Sequence, residues 1–301
     1  MKNVINYYYN LNPEEIRQVN KMYKFKINND FYTLMEIEND IKKINEIYEI
    51  SVELNIRGIY THTIITNLQN SIITYINNNT YVLLKTYSKM NEEINLKNVI
   101  EFSNITTNIV KNDSLKRDNW YQLWINKIDY FEYQINQIGK KYKLIRESFS
   151  YYAGILETGI SLLVNTKLTN ITLSICHNRI RKNDTLFDLY NPFNFIIDSK
   201  VRDAAEYFKE QFKYNDPYES IIKYLEYNNL TDDEIILFYI RMLYPSFYFD
   251  LYEEIISSSK EEKEIKKIID KAEEYELLLK KLYIYINNKI ALPEIEWIKK
   301  M

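Results

Sequence analysis

The chain has 301 residues, 46% hydrophobic and 27% charged, which is the balance of a folded protein of about two domains or one bilobal unit and excludes a disordered one. Lys and Arg number 39 against 42 Asp and Glu, a formal net charge of −3, so no overall basic field exists for nucleic acid or an anionic membrane. One cysteine, Cys176, excludes an internal disulfide and any multi-cysteine cluster, and two histidines, His62 and His177, exclude a multi-histidine metal site. No apolar h-region follows Met1 and no apolar run reaches transmembrane length, so the expectation is a soluble intracellular protein.

Asn12-Pro13-Glu14-Glu15 combines an N-cap, a first-turn proline and acids at the positive helix end, which predicts a short helix to about Lys21. Tyr23–Ile27 and Phe31–Ile37 are alternating runs around Asn28-Asn29-Asp30, a hairpin signal. From Asp40 the apolar positions Ile41, Ile44, Ile47, Tyr48 and Val52 keep helical spacing as far as Gly58. Strands are expected at Tyr60–Thr66, Ser71–Ile76 and Tyr81–Tyr87. Helices follow at Arg117–Tyr142, with Trp120, Leu123, Trp124, Ile128, Phe131 and Ile135 on one broad face, and at Lys143–Val164. Two short strands, Ile171–Cys176 and Phe193–Ile197, flank a polar loop from His177 to Asn191. Beyond Lys200 the pattern is helical: Val201–Lys213, Pro217–Tyr227, a segment capped by Thr231 to Glu234, Pro245–Ser257, and one long helix Lys260–Asn288. In that last helix Ile265, Ile268, Ile269, Leu277, Leu278 and Leu282 form the apolar stripe. The fold class expected is α+β, with a small β-rich lobe over residues 1–88 and a large helical lobe over 89–301.

Phosphate-cradling loops need closely spaced glycines, and the chain has only Gly58, Gly139, Gly154 and Gly159. Gly154 and Gly159 have Walker-like separation, but Ile160-Ser161 follows where Lys-Ser/Thr is required, which assigns the pair to a helix. Rossmann and P-loop chemistry are excluded.

Candidate chemistry concentrates in Ser174-Ile175-Cys176-His177-Asn178-Arg179-Ile180-Arg181-Lys182-Asn183-Asp184 and in Phe195-Ile196-Ile197-Asp198-Ser199-Lys200-Val201-Arg202-Asp203. A strand, a His-led loop, a strand ending in Asp and a helix opened by Arg-Asp resembles the C-lobe of aminoglycoside- and choline-kinase-like phosphotransferases. Their loop reads His-Gly-Asp-x-x-x-x-Asn, and their next strand ends in a magnesium-binding Asp. The resemblance implies a bilobal protein-kinase-like fold. It sets His177 at the leading His, Asn178 at the Gly, Arg179 at the catalytic Asp, Asp184 at the Asn and Asp198 at the metal-binding Asp. Arg202 and Asp203 match the structural pair that opens the helix. A nucleotide-clamping lysine is implied on the strand before the first long helix, where Met35 stands. Lys24 or Lys26 on the neighbouring strand is the possible substitute, and Glu46 or Glu49 is the implied ion-pair partner.

Arg179 is the departure that matters most, because a guanidinium stays protonated and cannot accept a substrate proton. With no Gly-rich loop and no strand lysine either, phosphoryl transfer loses its positioning and its electrostatics together. Within the superfamily the chain resembles spore-coat proteins of endospore-forming bacteria, the CotS and YutH type, through the residues above and through Arg241-Met242-Leu243-Tyr244-Pro245-Ser246-Phe247-Tyr248-Phe249-Asp250. That resemblance implies a non-catalytic, kinase-like spore-coat or sporulation-associated interaction protein without a cofactor. It implies synthesis in the mother-cell cytoplasm, a place in the coat, other coat proteins as partners, and neither nucleic acid nor membrane. The alternatives are an ATP- and Mg-dependent small-molecule kinase using Asp184 and Asp198 as metal ligands, and a binder of a phosphorylated metabolite.

Three further features take structural readings. Cys176 is expected buried and inert. The basic stretch from Lys140 to Lys182 is a solvated face. The aromatic run Tyr244–Tyr252 is core, with a partner surface or cross-linkable tyrosines as the other option.

Overall fold

Residues that alternate between an apolar and a polar face build the first part of the chain into a sheet. The computed structural model describes residues 1–38, 41–86, 90–109, 114–138 and 140–300. Gly139, Asp40 (the expected start of the first long helix) and the expected lobe junction at 88/89 lie outside the described residues. The chain divides into two compact units. The first comprises Met1–Lys116, Ser174–Asn178 and Asn183–Ile197, and the second Arg117–Leu173, Arg179–Lys182 and Asp198–Met301.

In the first unit, helix α1 (Lys2–Tyr9) precedes strands β1 (Ile16–Val19), β2 (Met22–Ile27) and β3 (Asp30–Ile37). Helix α2 (Ile41–Ile56) then leads to β4 (Thr63–Ile65), β5 (Thr74–Ile76) and β6 (Asn79–Thr86). The sheet is antiparallel in the order β1-β2-β3-β6-β4, with β5 also paired to β6. The predicted hairpin forms, closed by Asn28 at φ 54, a left-handed turn that Asn tolerates. Ile5 and Tyr9 of α1 pack with Phe25, Leu34, Tyr81 and Leu83 of the sheet. The predicted helix after Asn12 is absent. Asn10 ends α1 in the left-handed conformation, and Ile16 pairs opposite Phe25 instead. Local capping signals there lose to a strand edge that lets Ile16 join the α1 cluster.

α2 buries Ile44, Ile47, Ile50 and Leu54, as its spacing predicts, and Gly58 at φ +76 turns the chain away after it. β4 and β5 are shorter than expected because Asn67 gathers the connection around its own side chain. Its Oδ1 accepts from the N–H groups of Gln69 and Ser71, each at 3.0 Å, and its Nδ2 donates to Ile73 O at 3.0 Å. Helix α3 (Leu96–Ile105) opens with a reciprocal Asn95–Asn98 cap.

Helices α4 (Trp120–Ile138) and α5 (Lys143–Asn165) lie where their apolar periodicity sets them. α4 buries a narrower face than expected, Trp124, Ile128 and Phe131, with Leu123 39% exposed. β7 (Leu173–His177) pairs with β8 (Phe195–Ser199). The polar loop between them holds one helical turn, α6 (Leu186–Leu189), capped reciprocally by Thr185 and Asp188.

The second unit continues with α7 (Arg202–Phe212), α8 (Tyr218–Tyr227), α9 (Asp232–Met242) and α10 (Ser246–Ile256). Then follow α11 (Lys266–Ile269), α12 (Ala272–Asn287) and α13 (Glu296–Lys300). α9 is opened by the predicted Thr231–Glu234 capping box and packs against α5, α7 and α12. Gly159 sits in α5 as expected. A Cβ there would stand 3.2 Å from Leu243 Cβ and 3.4 Å from Ile240 O, so the close approach of α9 requires the glycine. The Tyr244–Tyr252 run is core: Phe249 stacks on Phe131 at 4.6 Å and Tyr248 on Tyr152 at 4.0 Å. Tyr248 and Tyr252 are fully buried, which removes the surface reading of that run.

The long helix expected over Lys260–Asn288 is broken into a 3-10 turn at Glu262–Ile265, then α11 and α12. The break re-aims the apolar face. Tyr275 becomes buried and donates its hydroxyl to Met242 O, while Leu277, predicted inside the stripe, is 49% exposed.

Candidate functional site

β8 is buried at every residue, so its terminal Asp198 and Ser199 must satisfy their polar groups within the protein. Asp198 is 2% exposed. Its Oδ1 accepts from Trp120 Nε1 at 2.7 Å, from Ser199 N at 2.6 Å and from an Nη2 of Arg241, and Arg202 Nε stands 3.1 Å from its Oδ2. The Arg241 guanidinium also lies over the Trp120 ring at 5.4 Å and donates from Nε to Ser199 Oγ at 3.2 Å. α7 brings Arg202 from its first turn and α9 brings Arg241 from its last. Arg241 escaped the sequence reading as a site residue. Its signal was present, because a cation inside the apolar run Ile236–Met242 demands a buried carboxylate.

Arg179 donates from Nε to Asp250 Oδ2 at 2.6 Å and from Nη2 to Asp250 Oδ1 at 2.7 Å, a bidentate pair. Burial disfavours the charge on Arg179, but Asp250 outweighs it and holds the guanidinium above its usual pKa. Arg181 faces Glu254, one turn further along α10, at 3.6 Å. Deeper in the second unit, Lys209 Nζ donates to Glu206 Oε1 at 2.8 Å and to the carbonyls of Arg241 and Tyr244 at 3.2 and 3.0 Å. Ser246 Oγ donates to Glu206 Oε2 at 2.7 Å. Burial alone would raise the Glu206 carboxyl, yet Lys209, Arg202 and Arg179 together hold it well below the usual carboxylate range. Asp203, 1% exposed, lies 3.4 Å from Arg202 Nη1.

The remaining predicted residues stand in the first unit. His177 is 3% exposed, packs its ring against Phe102 and Phe195, and donates from Nε2 to Leu189 O at 2.8 Å, the role of a brace. Asn178 N donates to Asn194 O, and the Asp184 carbonyl accepts from Ile94 N at 3.0 Å. Cys176 is fully buried, as expected. Met35 sets its Sδ 4.0 Å from Asn191 Nδ2. On α2, Glu49 is exposed, whereas Glu46 keeps Oε2 shut from solvent with no hydrogen-bond partner among the described residues. Lys24 lies over the Phe187 ring at 4.6 Å and Lys26 over Phe31 at 5.4 Å, beside a cavity of about 750 Å³ that Arg17, Thr33 and Thr86 also line. Lys140, Lys141, Lys143, Arg146 and Lys167 are exposed.

Two groups implied by the resemblance can be tested for fit. Magnesium takes near-ideal octahedral oxygen coordination. The Asp198 oxygens instead accept from two guanidiniums, an indole and an amide, and no group of three or more His, Cys, Asp or Glu stands together among the described residues. A nucleotide's phosphates need a backbone loop or a lysine. β1 and β2 are joined by the two-residue turn Asn20-Lys21, with Val19 paired to Met22, and Met35 offers no charge. Magnesium does not fit the donors around Asp198; on the nucleotide side, the cations that line the first unit's cavity are Arg17, Lys24 and Lys26.

The fold is that of known phosphotransferases. The chain is similar to an aminoglycoside phosphotransferase from Alicyclobacillus acidocaldarius subsp. acidocaldarius DSM 446, with TM-score 0.59 and 10% identity over 93% of this chain and 94% of that one. It is also similar to AMP-bound spectinomycin phosphotransferase APH(9)-Ia, with TM-score 0.61 and 14% identity over 88% and 93% of the two chains. At such identities the likeness establishes the α+β kinase-like fold and nothing finer. Residues 2–282 match the family described as "Spore coat putative kinase YutH". The chain belongs to the YutH spore-coat family. Its similarity to the endospore coat-associated protein YutH of Bacillus subtilis (strain 168) is 27% identity over 210 residues, 60% of this chain and 61% of that protein, so the match spans about three-fifths of the relative. Among the described residues of this YutH-family chain, no helix is long and apolar enough to cross a membrane.

Proposed function

We propose that this YutH-family chain is a non-catalytic kinase-like protein of the spore coat or its assembly, which offers its surface to other coat proteins and transfers no phosphate. The observation that carries the reading is the bidentate pairing of Asp250 with Arg179, the residue that the sequence resemblance sets at the proton-acceptor position. The carboxylate beside Arg179 has both oxygens engaged by a guanidinium that itself cannot accept a substrate proton. Met35 at the lysine position and the two-residue β1–β2 turn support the same reading from the nucleotide side. On this reading Arg202 and Asp203 are structural, residues 1–88 and 89–301 act as the two kinase-like lobes, and the protein is made in the mother cell and ends in the coat. The rival is an ATP- and Mg-dependent small-molecule kinase using Asp184 and Asp198. It draws on the first unit's cavity with Lys24 and Lys26.

The test is the melting temperature of the full chain with ATP, with and without Mg²⁺, alongside an ATP-consumption assay. A ligand at 100 times its Kd stabilises the folded state by about 2.7 kcal/mol, a shift well within detection. No Mg-dependent shift and no turnover is the expected result. A clear MgATP shift with turnover that Asp198→Asn abolishes overturns the reading in favour of the rival.

A further inference from the structure

We infer that Arg241 and Arg202 take the place of a divalent cation at Asp198, so that the strand-end carboxylate which kinase-like folds devote to magnesium is neutralised permanently by this chain's own guanidinium groups. The inference deepens the non-catalytic reading and rests on it. Asp198 is 2% exposed, Arg202 8% and Arg241 4%, so three charges share one buried volume. Burying any of them alone would cost several kcal/mol, and only their mutual pairing makes the arrangement stable. The donors are directed rather than merely near. Arg241 meets Oδ1, Arg202 meets Oδ2, and Trp120 and the Ser199 amide complete the set around Oδ1 within 2.7 Å.

Trp120 adds a second lock, because the same indole that donates to Asp198 lies against the Arg241 guanidinium. A cation bound here would have to displace at least one guanidinium, and that guanidinium would then be left buried beside it with like charge. The site therefore rejects metal by electrostatics as well as by occupancy. It also explains why a cation sits inside the apolar length of α9, where packing alone would select against it.

The test uses Mn²⁺ as the probe on the full chain without nucleotide, read by the loss of the free-ion paramagnetic signal and by melting temperature. The parent protein is expected to leave the Mn²⁺ signal unchanged. Arg241→Met should melt roughly 10 °C lower, since it removes one of the two cations paired with a buried carboxylate, and should take up Mn²⁺ with recovery of part of that loss. Arg241→Lys, which keeps a cation, should behave as the parent toward Mn²⁺. Should Arg241→Met not fold, Arg202→Met opens Oδ2 while leaving Arg241 in place and gives the same readout. Mn²⁺ uptake by the parent that Asp198→Asn abolishes overturns the inference. A folded Arg241→Met or Arg202→Met that ignores Mn²⁺ also overturns it, while leaving the reading based on Arg179 untouched. Phosphate transfer by the parent would sink that reading whatever these variants do.

Discussion

Around Asp198 in the second unit, Arg202, Glu206, Lys209 and Arg241 are each less than a tenth exposed, and each has an opposite charge within 3.2 Å. In the first unit, by contrast, Lys24 and Lys26 of the sheet rest on aromatic rings, Met35 sets its thioether beside Asn191, and Glu46 on α2 buries an oxygen with no hydrogen-bond partner among the described residues. Both regions carry residue types that phosphate transfer uses. In one they are closed into a self-neutralising core; in the other the lysines lie on rings beside a cavity and one glutamate oxygen is buried unpaired among the described residues. A charge cluster that satisfies itself does structural work, whereas a buried polar atom without a partner costs stability.

The comparison is broken most directly at Lys209. Lys209→Met leaves Glu206 buried without its directly bonded cation, and urea unfolding should report a loss of about 3–5 kcal/mol. A loss under 1 kcal/mol would mean the cluster is not load-sharing as described. Asp203→Ala removes a 1%-exposed acid from the first turn of α7, and a smaller drop of about 2–3 kcal/mol is expected, with any surface binding unchanged. Equal melting temperatures for variant and parent would count against it.

His62 tests the first unit by pH. It is fully buried, donates from Nε2 to Phe187 O at 2.9 Å, and meets the Tyr60 hydroxyl at Nδ1. Burial lowers its pKa to about 4, with Lys24 acting in the same direction and the Phe187 carbonyl and Asp188 opposing. The unfolded chain, near 6.5, then binds more protons than the folded one between those values, so stability falls as pH drops from about 6.5 toward 4. At pH 5 the loss from this residue is about 2 kcal/mol. The unfolding free-energy gap between parent and His62→Gln should therefore narrow by that amount between pH 7.5 and pH 5; a constant gap would exclude the mechanism. The smallest effect has the opposite sign. Glu46→Met removes a buried oxygen that has no partner among the described residues and should leave stability unchanged or raise it by up to about 1 kcal/mol, whereas a clear loss would mean Glu46 has a partner that matters.

Much of the molecule is legible in the sequence. The hairpin around Asn28, the helix from Ile41, the Thr231–Glu234 cap, the helical placement of Gly154 and Gly159 and the burial of Cys176 all rest on signals a few residues wide. The failures came where distant parts of the chain competed for the same residues. Asn12 to Lys21 carries a helix start, yet β2 recruits Ile16 as a strand edge. The stripe through Leu277 is broken because Tyr275 is drawn inward to Met242. At the site, the motif order located Arg179 and Asp198 but named neither of their partners.

Residue identity alone settled that position 179 is a permanent cation and position 35 an uncharged thioether, since side-chain chemistry does not wait on folding. Which carboxylate answers Arg179, and which cations answer Asp198, was decided only in three dimensions. Asp250 lies 71 residues from Arg179 in the chain and Arg241 43 residues from Asp198. Pairings at such separations come from how helices pack, because the cost of burying each charge selects whichever opposite charge the packing brings within reach.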